Sequence, residues 1–483
     1  MKKLLALILF AALCLSCMCV ATSADDAEYT ADTWNNLELK GLFYQDSDYI
    51  TSDLAPDYEA WWWEDYVEEI DEYPVAAYIN MRGFAMSADG KYAYMGTLNG
   101  GTGVRGVVVL NTATGRVTDL YYKYDGENGL PGSAFSYAKG IDADDRGYVY
   151  TGFAFSNNYN LVNLGIAKQQ DDGKLEEVYY GPVYDNGQVP GDSSGTKIGV
   201  NGVEVAKIGD KYYCYVMTNY QFDGLYCFDV TDPANPVLNK GFGIDGVIDF
   251  ADADCTIDLG GKKLDEGQYM EVDADGTVWL CGSLQGGGNG IIKIDASGIT
   301  CLGYTEYAGA YCVSHFGNFI FVGLKDGTAI DVLDDSSMEK VATISVPDAN
   351  RVTRIRLIND TLYVCGAGND SMTYNYIYAA ALTSEAQAAM DAQVAVLNAF
   401  QQSDATEEDT TEAPGDDTTV EDTTTEAPDD ETTKAPADDV TTEAPEEATT
   451  EAPKTDKACG GIVGAGVMAI IALGVCAVAK KKD

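Results

Sequence analysis

The sequence predicts an all-β fold: a six-bladed β-propeller, with seven blades as the alternative, in which each blade is a four-stranded antiparallel sheet. Two observations lead to this prediction. A hairpin pattern recurs six times along the middle of the chain, and both ends read as targeting, stalk or anchoring segments that lie outside the folded region. We therefore also expect a disordered stalk and one transmembrane helix.

The recurring hairpin begins with a turn of Gly, Asp or Asn, continues with a short strand around one aromatic residue, and usually ends in Gly. An apolar strand precedes each turn, a third strand follows, and a weaker edge strand often closes the unit. A single four-stranded sheet cannot bury both faces, so such units gain a core by stacking in a ring. The six central aromatic residues are Tyr94, Tyr150, Tyr215, Trp279, Phe321 and Tyr363.

Three short segments resemble repeats of known propellers. Residues 106–117 resemble YVTN-type surface propellers, residues 225–237 are similar to the LVIVD repeat, and residues 272–279 resemble the strand pair of NHL and gluconolactonase-like propellers. The resemblance implies the propeller architecture and carries no catalytic residue over.

The propeller is expected to span residues 78–383, and its last unit lacks an outer strand. Leu37–Tyr44 has strand character and can supply that strand, so residues 25–77 are predicted to hold a ring-closing strand and an aromatic cap. A seventh blade in the same region is the alternative. An alanine-rich segment, residues 384–403, is predicted to form a short helix.

Both ends of the chain predict export and anchoring. Residues 1–24 have the basic start, apolar centre and small residues of a cleaved signal peptide. Residues 458–479 carry no charge and match the length of a transmembrane helix. The lysines in residues 480–483 mark a cytoplasmic tail. We expect a single-pass protein with an extracellular ectodomain, and the tail resembles the anchors of Gram-positive surface proteins, although no LPxTG motif precedes it.

Residues 404–457 form an acidic segment that repeats Thr-Thr-(Glu/Lys)-Ala-Pro. This composition predicts a disordered and extended stalk. The whole chain has a net charge of −47, which disfavours nucleic acid as a partner. The charge is compatible with neutral or cationic ligands and with calcium.

Three adjacent tryptophans, Trp61, Trp62 and Trp63, are the first candidate binding site. Adjacent aromatic side chains can stack on sugars or pack against a protein. The structural alternative is that they plug the ring or cover its core.

Four aspartates, Asp249, Asp252, Asp254 and Asp258, are the candidate metal ligands, since their carboxylates could gather around calcium. Their spacing does not fit an EF-hand loop. The Asp142–Asp144 pair is assigned instead to an ordinary propeller turn. No cofactor other than calcium is expected.

Catalytic signatures are sparse. No GxSxG, P-loop or His-Glu-x-x-His motif occurs, and the single histidine, His315, is interpreted as structural. Arg351, Arg354 and Arg356 could bind an anionic group or neutralise nearby aspartates, and we favour the second interpretation. Seven cysteines lie between the signal peptide and the anchor; we interpret them as small buried apolar residues, with one or two disulfides left open.

The function predicted from these features is a non-enzymatic module, displayed on the stalk, that binds a protein or a glycan through loop insertions near residues 155–200 and 238–268. One alternative is an extracellular lyase or glycoside hydrolase that acts in the central channel. Another is a structural component of a surface layer. A pocket lined by several acidic residues with Arg or His and aromatic walls would favour the enzyme, and a channel blocked by apolar side chains would favour binding.

Overall fold

The computed structural model describes part of the chain, in which two helices and twenty-five strands form. That part consists of residues 29–44, 81–97, 106–112, 116–123, 136–155, 162–183, 198–220, 224–250, 264–284, 288–325, 328–346, 351–367 and 375–407.

The strands form six antiparallel sheets, the blades, which we number in chain order. Blade 1 comprises β2 (Met81–Met86), β3 (Tyr92–Thr97), β4 (Gly106–Asn111) and β5 (Arg116–Tyr121). Blade 2 comprises β6 (Ser136–Ala143), β7 (Tyr148–Phe155), β8 (Val162–Gln169) and β9 (Leu175–Pro182). Blade 3 comprises β10 (Ile198–Ile208), β11 (Lys211–Tyr220), β12 (Gly224–Asp229), β13 (Val237–Leu238) and β14 (Val247–Asp249). Blade 4 comprises β15 (Leu264–Val272), β16 (Val278–Leu284), β17 (Asn289–Ile294) and β18 (Cys301–Glu306). Blade 5 comprises β19 (Ala310–Phe316), β20 (Phe319–Leu324), β21 (Ala329–Asp334) and β22 (Lys340–Ser345). Blade 6 comprises β23 (Arg351–Ile358), β24 (Thr361–Ala367), β25 (Asn375–Ala381) and the N-terminal β1 (Lys40–Tyr44). The helices are α1 (Ala31–Asn35) and α2 (Ser384–Glu407).

The blades close into a ring around one axis. The first strand of each blade contacts the first strand of the next, in the order β2, β6, β10, β15, β19 and β23, and β23 contacts β2. The chain is therefore a six-bladed β-propeller, and the seventh blade considered as an alternative has no place between β23 and β2.

The N-terminal strand completes blade 6, as the sequence predicted. Strand β1 runs antiparallel to β25, with Lys40 opposite Ala379 and Tyr44 opposite Tyr376. Helix α1 precedes it and places the fully buried Trp34 edge-on against Phe321, with ring centroids 4.8 Å apart. Residues distant in sequence therefore meet where the ring closes.

The recurring aromatic residues lie on the second strand of each blade and are buried. In two blades an aspartate at the preceding turn binds the aromatic side chain. The Tyr150 hydroxyl donates to Asp144 at 2.8 Å, and the Trp279 indole N–H donates to Asp273 at 2.9 Å. In these two blades the Asp-turn-aromatic pattern of the sequence is thus one hydrogen-bonded unit.

A glycine brings two inner strands into close approach. A Cβ atom on Gly140, in β6, would lie 2.7 Å from the carbonyl carbon of Gly202 and from the backbone nitrogen of Val203, in β10. A backbone atom cannot move aside as a flexible side chain can, so the blades would have to separate.

Replacing Gly140 with alanine should lower the free energy of unfolding by about 1–3 kcal/mol, the usual cost of overpacking. Gly303→Ala is the matched control, because its Cβ would meet nothing nearer than the Cβ of Lys293 at 3.9 Å. Urea denaturation of both variants tests the prediction, and equal stabilities would contradict it.

Two elements differ from expectation. The outer strand of blade 3 is divided into β13 and β14, both of which pair with β12. Helix α2 extends to Glu407 rather than ending at residue 403, and it buries Ala386 and Met390.

Several predicted segments lie outside the described residues: the signal peptide 1–24, most of the aromatic cap, the stalk beyond Glu407, the anchor 458–479 and the tail 480–483. Within the described ranges, neither helix has the length and apolar character needed to cross a membrane.

Candidate functional site

The six inner strands line the axis, and each carries a β-bulge at a corresponding position. A bulge inserts one extra residue into a strand and changes the direction of the neighbouring side chains. The inserted residues are Arg82, Lys139, Asn201, Gln268, Tyr311 and Thr353. We call this set the bulge layer; all six residues are polar.

Hydrogen bonds link the bulge layer across blade boundaries. Arg82 donates to the Tyr311 hydroxyl at 3.0 Å, and the Tyr269 hydroxyl donates to the backbone oxygen of Arg82 at 2.9 Å. Lys139 donates to the side-chain oxygen of Asn201. The rings of Tyr269 and Tyr311 meet edge to face, with centroids 5.5 Å apart.

A second layer lies three residues further along the inner strands. Three successive blades place Asp142, Glu204 and Glu271 there, and blade 6 places Arg356 opposite them. Arg356 Nη1 lies 2.8 Å from both Glu204 Oε1 and Glu271 Oε2, while its Nη2 lies 3.0 Å from Asp142 Oδ1. One guanidinium group therefore joins three blades across the axis.

A second arginine of blade 6 reinforces this contact. Arg354 forms an ion pair with Glu204 and donates to the backbone oxygen of Met270 at 2.8 Å. The side chains of Arg354 and Glu204 are only 3% and 4% exposed. We call Asp142, Glu204, Glu271, Arg354 and Arg356 the axial cluster.

Burial and the neighbouring charges together give the three carboxyl groups different acidities. It raises the pKa of Asp142 to about 7, although Arg356 opposes the shift. Burial and the charge of Glu204 raise the pKa of Glu271 to about 8. Burial also opposes ionisation of Glu204, but Arg356 and Arg354 hold the pKa of that carboxyl below its usual range. The axis thus contains one firmly ionised carboxylate and two groups that titrate near neutral pH.

The position of Asp142 corrects one expectation. The sequence assigned it to a turn together with Asp144, whereas it lies within β6 and faces Arg356. Asp144 does lie at the turn, where it binds Tyr150. The two aspartates therefore have different roles, because Asp142 belongs to the strand whereas Asp144 follows its last residue and turns away with the chain.

The sequence favoured a role for Arg351, Arg354 and Arg356 in neutralising nearby aspartates, and two of the three do pair with carboxylates. Arg354 and Arg356 neutralise carboxylates, although two of these are glutamates and all belong to other blades. Arg351 instead lies over the ring of Tyr311, 5.1 Å from its centroid.

His315 lies at the boundary between blades 4 and 5. Its Nδ1 is 2.8 Å from Asp273 Oδ1, its Nε2 is 3.6 Å from Asp335 Oδ2, and its ring packs against Trp279 at 4.7 Å. These contacts fit the structural role expected from the sequence.

The predicted ligand and calcium residues fall mostly beyond the described part of the chain. Trp61, Trp62, Trp63, Asp252, Asp254 and Asp258 lie outside it, and Asp249 is exposed at the end of β14. Among the described residues, no group of three or more His, Cys, Asp or Glu side chains is arranged to hold a metal ion. Calcium binding at the four aspartates remains a prediction.

Five cysteines act as small buried residues, as interpreted from the sequence: Cys214, Cys227, Cys281, Cys312 and Cys365. Burial raises the thiol pKa of Cys312 and of Cys365 to about 12, so these thiols stay protonated at neutral pH.

No protein-family model matches the chain, and no curated protein matches it in sequence. Solved structures match in fold at low identity. The PQQ-bound aldose sugar dehydrogenase from Streptomyces coelicolor is 10% identical, with a TM-score of 0.40 over 63% of this chain and 95% of that one. A protein of unknown function from Bacteroides caccae is 11% identical, with a TM-score of 0.36 over 55% and 79%.

Hydrazine synthase from Kuenenia stuttgartiensis is 12% identical, with a TM-score of 0.38 over 59% of this chain and 74% of that one. At this level of identity the matches concern the fold alone and assign no activity.

Proposed function

We propose that this propeller is a binding module displayed at the cell surface, and that a protein or glycan ligand contacts one face of the ring. The observation that carries the proposal is the unequal distribution of connections between the two faces. We call the end at which the inner strands begin the loop face, and the end at which they finish the turn face.

Long connections join strand ends at the loop face. They are residues 45–80, 98–105, 122–135, 183–197 and 250–263. At the turn face, three connections between the first and second strands have only two residues: 209–210, 317–318 and 359–360. Long loops on a rigid scaffold commonly carry recognition, so the loop face is the proposed ligand surface.

The strand bounds narrow the insertions expected from sequence. Residues 155–200 include the regular strands β8 and β9, so the added length is confined largely to 183–197. Residues 238–268 include β14 and the start of β15, which leaves 239–246 between β13 and β14, and 250–263 between β14 and β15. Of the remaining segments, 183–197 and 250–263 join strand ends at the loop face.

The tryptophan triplet belongs to the longest of these connections. Trp61, Trp62 and Trp63 lie within residues 45–80, which leave β1 and return to β2 at the loop face. Their large apolar surfaces suit stacking on sugar rings or packing in a protein interface. We assign them the main contribution to binding.

The axial cluster has the acidic residues and arginines that would favour an enzyme, but these charged groups are bound to one another, and we take this mutual pairing to favour binding through the loops. Arg356 contacts carboxylates of three other blades, so charged side chains pair with one another across the channel. Their side chains are 14% exposed or less. This arrangement holds the ring together at its centre and leaves recognition to the loops.

Display at the surface is part of the proposal. It is supported by the signal-peptide pattern of residues 1–24, the acidic Thr/Pro segment 404–457, and the uncharged segment 458–479 with its following lysines. The net charge of −47 again disfavours nucleic acid.

A glycan array and a pull-down with residues 25–406, the compact unit without its predicted signal peptide, test the function. Trp61→Ala/Trp62→Ala/Trp63→Ala should weaken binding at least about tenfold, since one aromatic hot spot contributes about 2 kcal/mol. The control is Asp210→Ala/Asn318→Ala at the turn face, where both side chains are exposed. Equal loss in both variants, or in neither, would contradict the proposal.

Catalysis in the channel is the second candidate, because Asp142 and Glu271 titrate near neutral pH beside Arg356. Paired carboxyl groups of this kind serve as general acid and base in glycoside hydrolases and lyases. Release of new sugar ends from a polysaccharide, abolished by Glu271→Gln without loss of binding, would establish it.

A further inference from the structure

The axial cluster contains unequal numbers of positive and negative groups. Two guanidinium groups of blade 6 face three carboxyl groups of blades 2, 3 and 4. At the same level, β2 and β19 place Ala85 and Ser314, which add no charge. Full ionisation of the cluster would therefore leave one excess negative charge.

Other titratable groups lie near the cluster without belonging to its level. Lys139 and Arg82 lie in the bulge layer, where they bind Asn201 and Tyr311. The Cys214 thiol near Asp142 stays neutral, because burial raises its pKa well above the usual value.

The contacts show which carboxyl group is fully compensated. Glu204 binds both Arg354 and Arg356, so one carboxylate accepts charge-assisted hydrogen bonds from two guanidinium groups. Arg356 is the guanidinium partner of both Asp142 and Glu271, and Asp142 also accepts from the Val205 backbone N–H at 2.8 Å. Arg356 and Arg354 together can balance Glu204 and only one of these two.

We infer that the axial cluster binds one proton, shared between Asp142 and Glu271, in the folded protein at neutral pH. The proton comes from solvent when the chain folds: one carboxylate becomes a neutral carboxyl group, and the cluster holds two positive and two negative charges. Two carboxyl groups that compete for one positive charge titrate as a pair. The raised pKa values of both groups agree with this arrangement.

The expected sign of the pH dependence follows from linkage. In the unfolded chain these carboxyl groups have a pKa of about 4, whereas burial raises it to about 7 for Asp142 and about 8 for Glu271 in the folded state. Between these limits the folded chain holds the extra proton. The unfolding constant should therefore rise with pH, by up to about tenfold per pH unit from this site, and level off above about pH 8.

The test is urea denaturation of the full-length chain between pH 5.5 and 9, with Glu271→Gln, Asp142→Asn and the double variant. Each single substitution removes the excess charge, so it should remove this site's pH dependence. The double variant leaves two guanidinium groups with one carboxylate. It should therefore unfold more readily than either single variant at every pH.

The control is Glu339→Gln, at an exposed position near the turn face, which should keep the wild-type pH slope. Infrared spectroscopy of the wild-type protein at pH 7 supplies a readout that needs no variant: a protonated-carboxyl band that disappears above about pH 8. Wild-type slopes in both single variants, or no such band, would overturn the inference.

Discussion

Replacing Arg356 with methionine is expected to lower the free energy of unfolding by about 3–5 kcal/mol, the usual cost of removing one partner of a buried ion pair. The substitution keeps an unbranched side chain of similar length and removes the group that binds Asp142, Glu204 and Glu271. These carboxyl groups belong to three blades, so the loss falls on the centre of the ring. Chemical denaturation at pH 7 measures it.

The matched control for this variant is Lys211→Met. Lys211 pairs with Asp229 at 2.7 Å, but its side chain is 57% exposed. Exposed ion pairs contribute little to stability, so the control should unfold like the wild type. Arg356→Lys should recover only part of the lost stability, because an ammonium group cannot reproduce the planar fork of guanidinium. Similar stabilities for Arg356→Met and Lys211→Met would refute the role assigned to the axial cluster.

Deleting residues 25–45 should abolish cooperative unfolding, because β1 is the outer strand of blade 6 and α1 carries Trp34 into the core. The milder variant Trp34→Ala should lower the free energy of unfolding by about 3–5 kcal/mol, the usual cost of truncating a fully buried tryptophan. Calorimetry of both variants measures the effect.

Lys40→Ala provides the control on the same segment. Its ammonium pairs with Asp391 at 3.3 Å, and both side chains are about half exposed. We expect no measurable change in melting temperature. A deletion variant that melts as sharply and at the same temperature as the wild type would show that β1 does not close the ring.

Local patterns predicted the propeller well. The turn and the aromatic residue of each hairpin are close in sequence, so a pair such as Asp144 and Tyr150 indicates a blade without knowledge of any other part of the chain. The missing outer strand was predictable for a different reason: only a distant segment could supply it, and residues 37–44 have strand character. The division of the outer strand of blade 3 into β13 and β14 could not be predicted, because short edge strands have weak sequence patterns.

The axial cluster could not be assembled from sequence in the same way. Arg356 and Glu204 are 152 residues apart, and their contact exists only because the ring brings opposite blades together. A signal was nevertheless present. The residues that contribute carboxylates stand three positions after the bulge in blades 2, 3 and 4, so alignment of the inner strands would have placed Asp142, Glu204 and Glu271 at one level.

The closure of blade 6 has a mechanical consequence. Strand β25 is hydrogen-bonded on both sides, to β24 and to β1, and leads within three residues to α2, whose Met390 packs in one core cluster with Ile377. A pull on the C-terminal end would load α2 first and then β25. Both flanking ladders of β25 would have to yield together, so β25 would resist peeling better than an edge strand does.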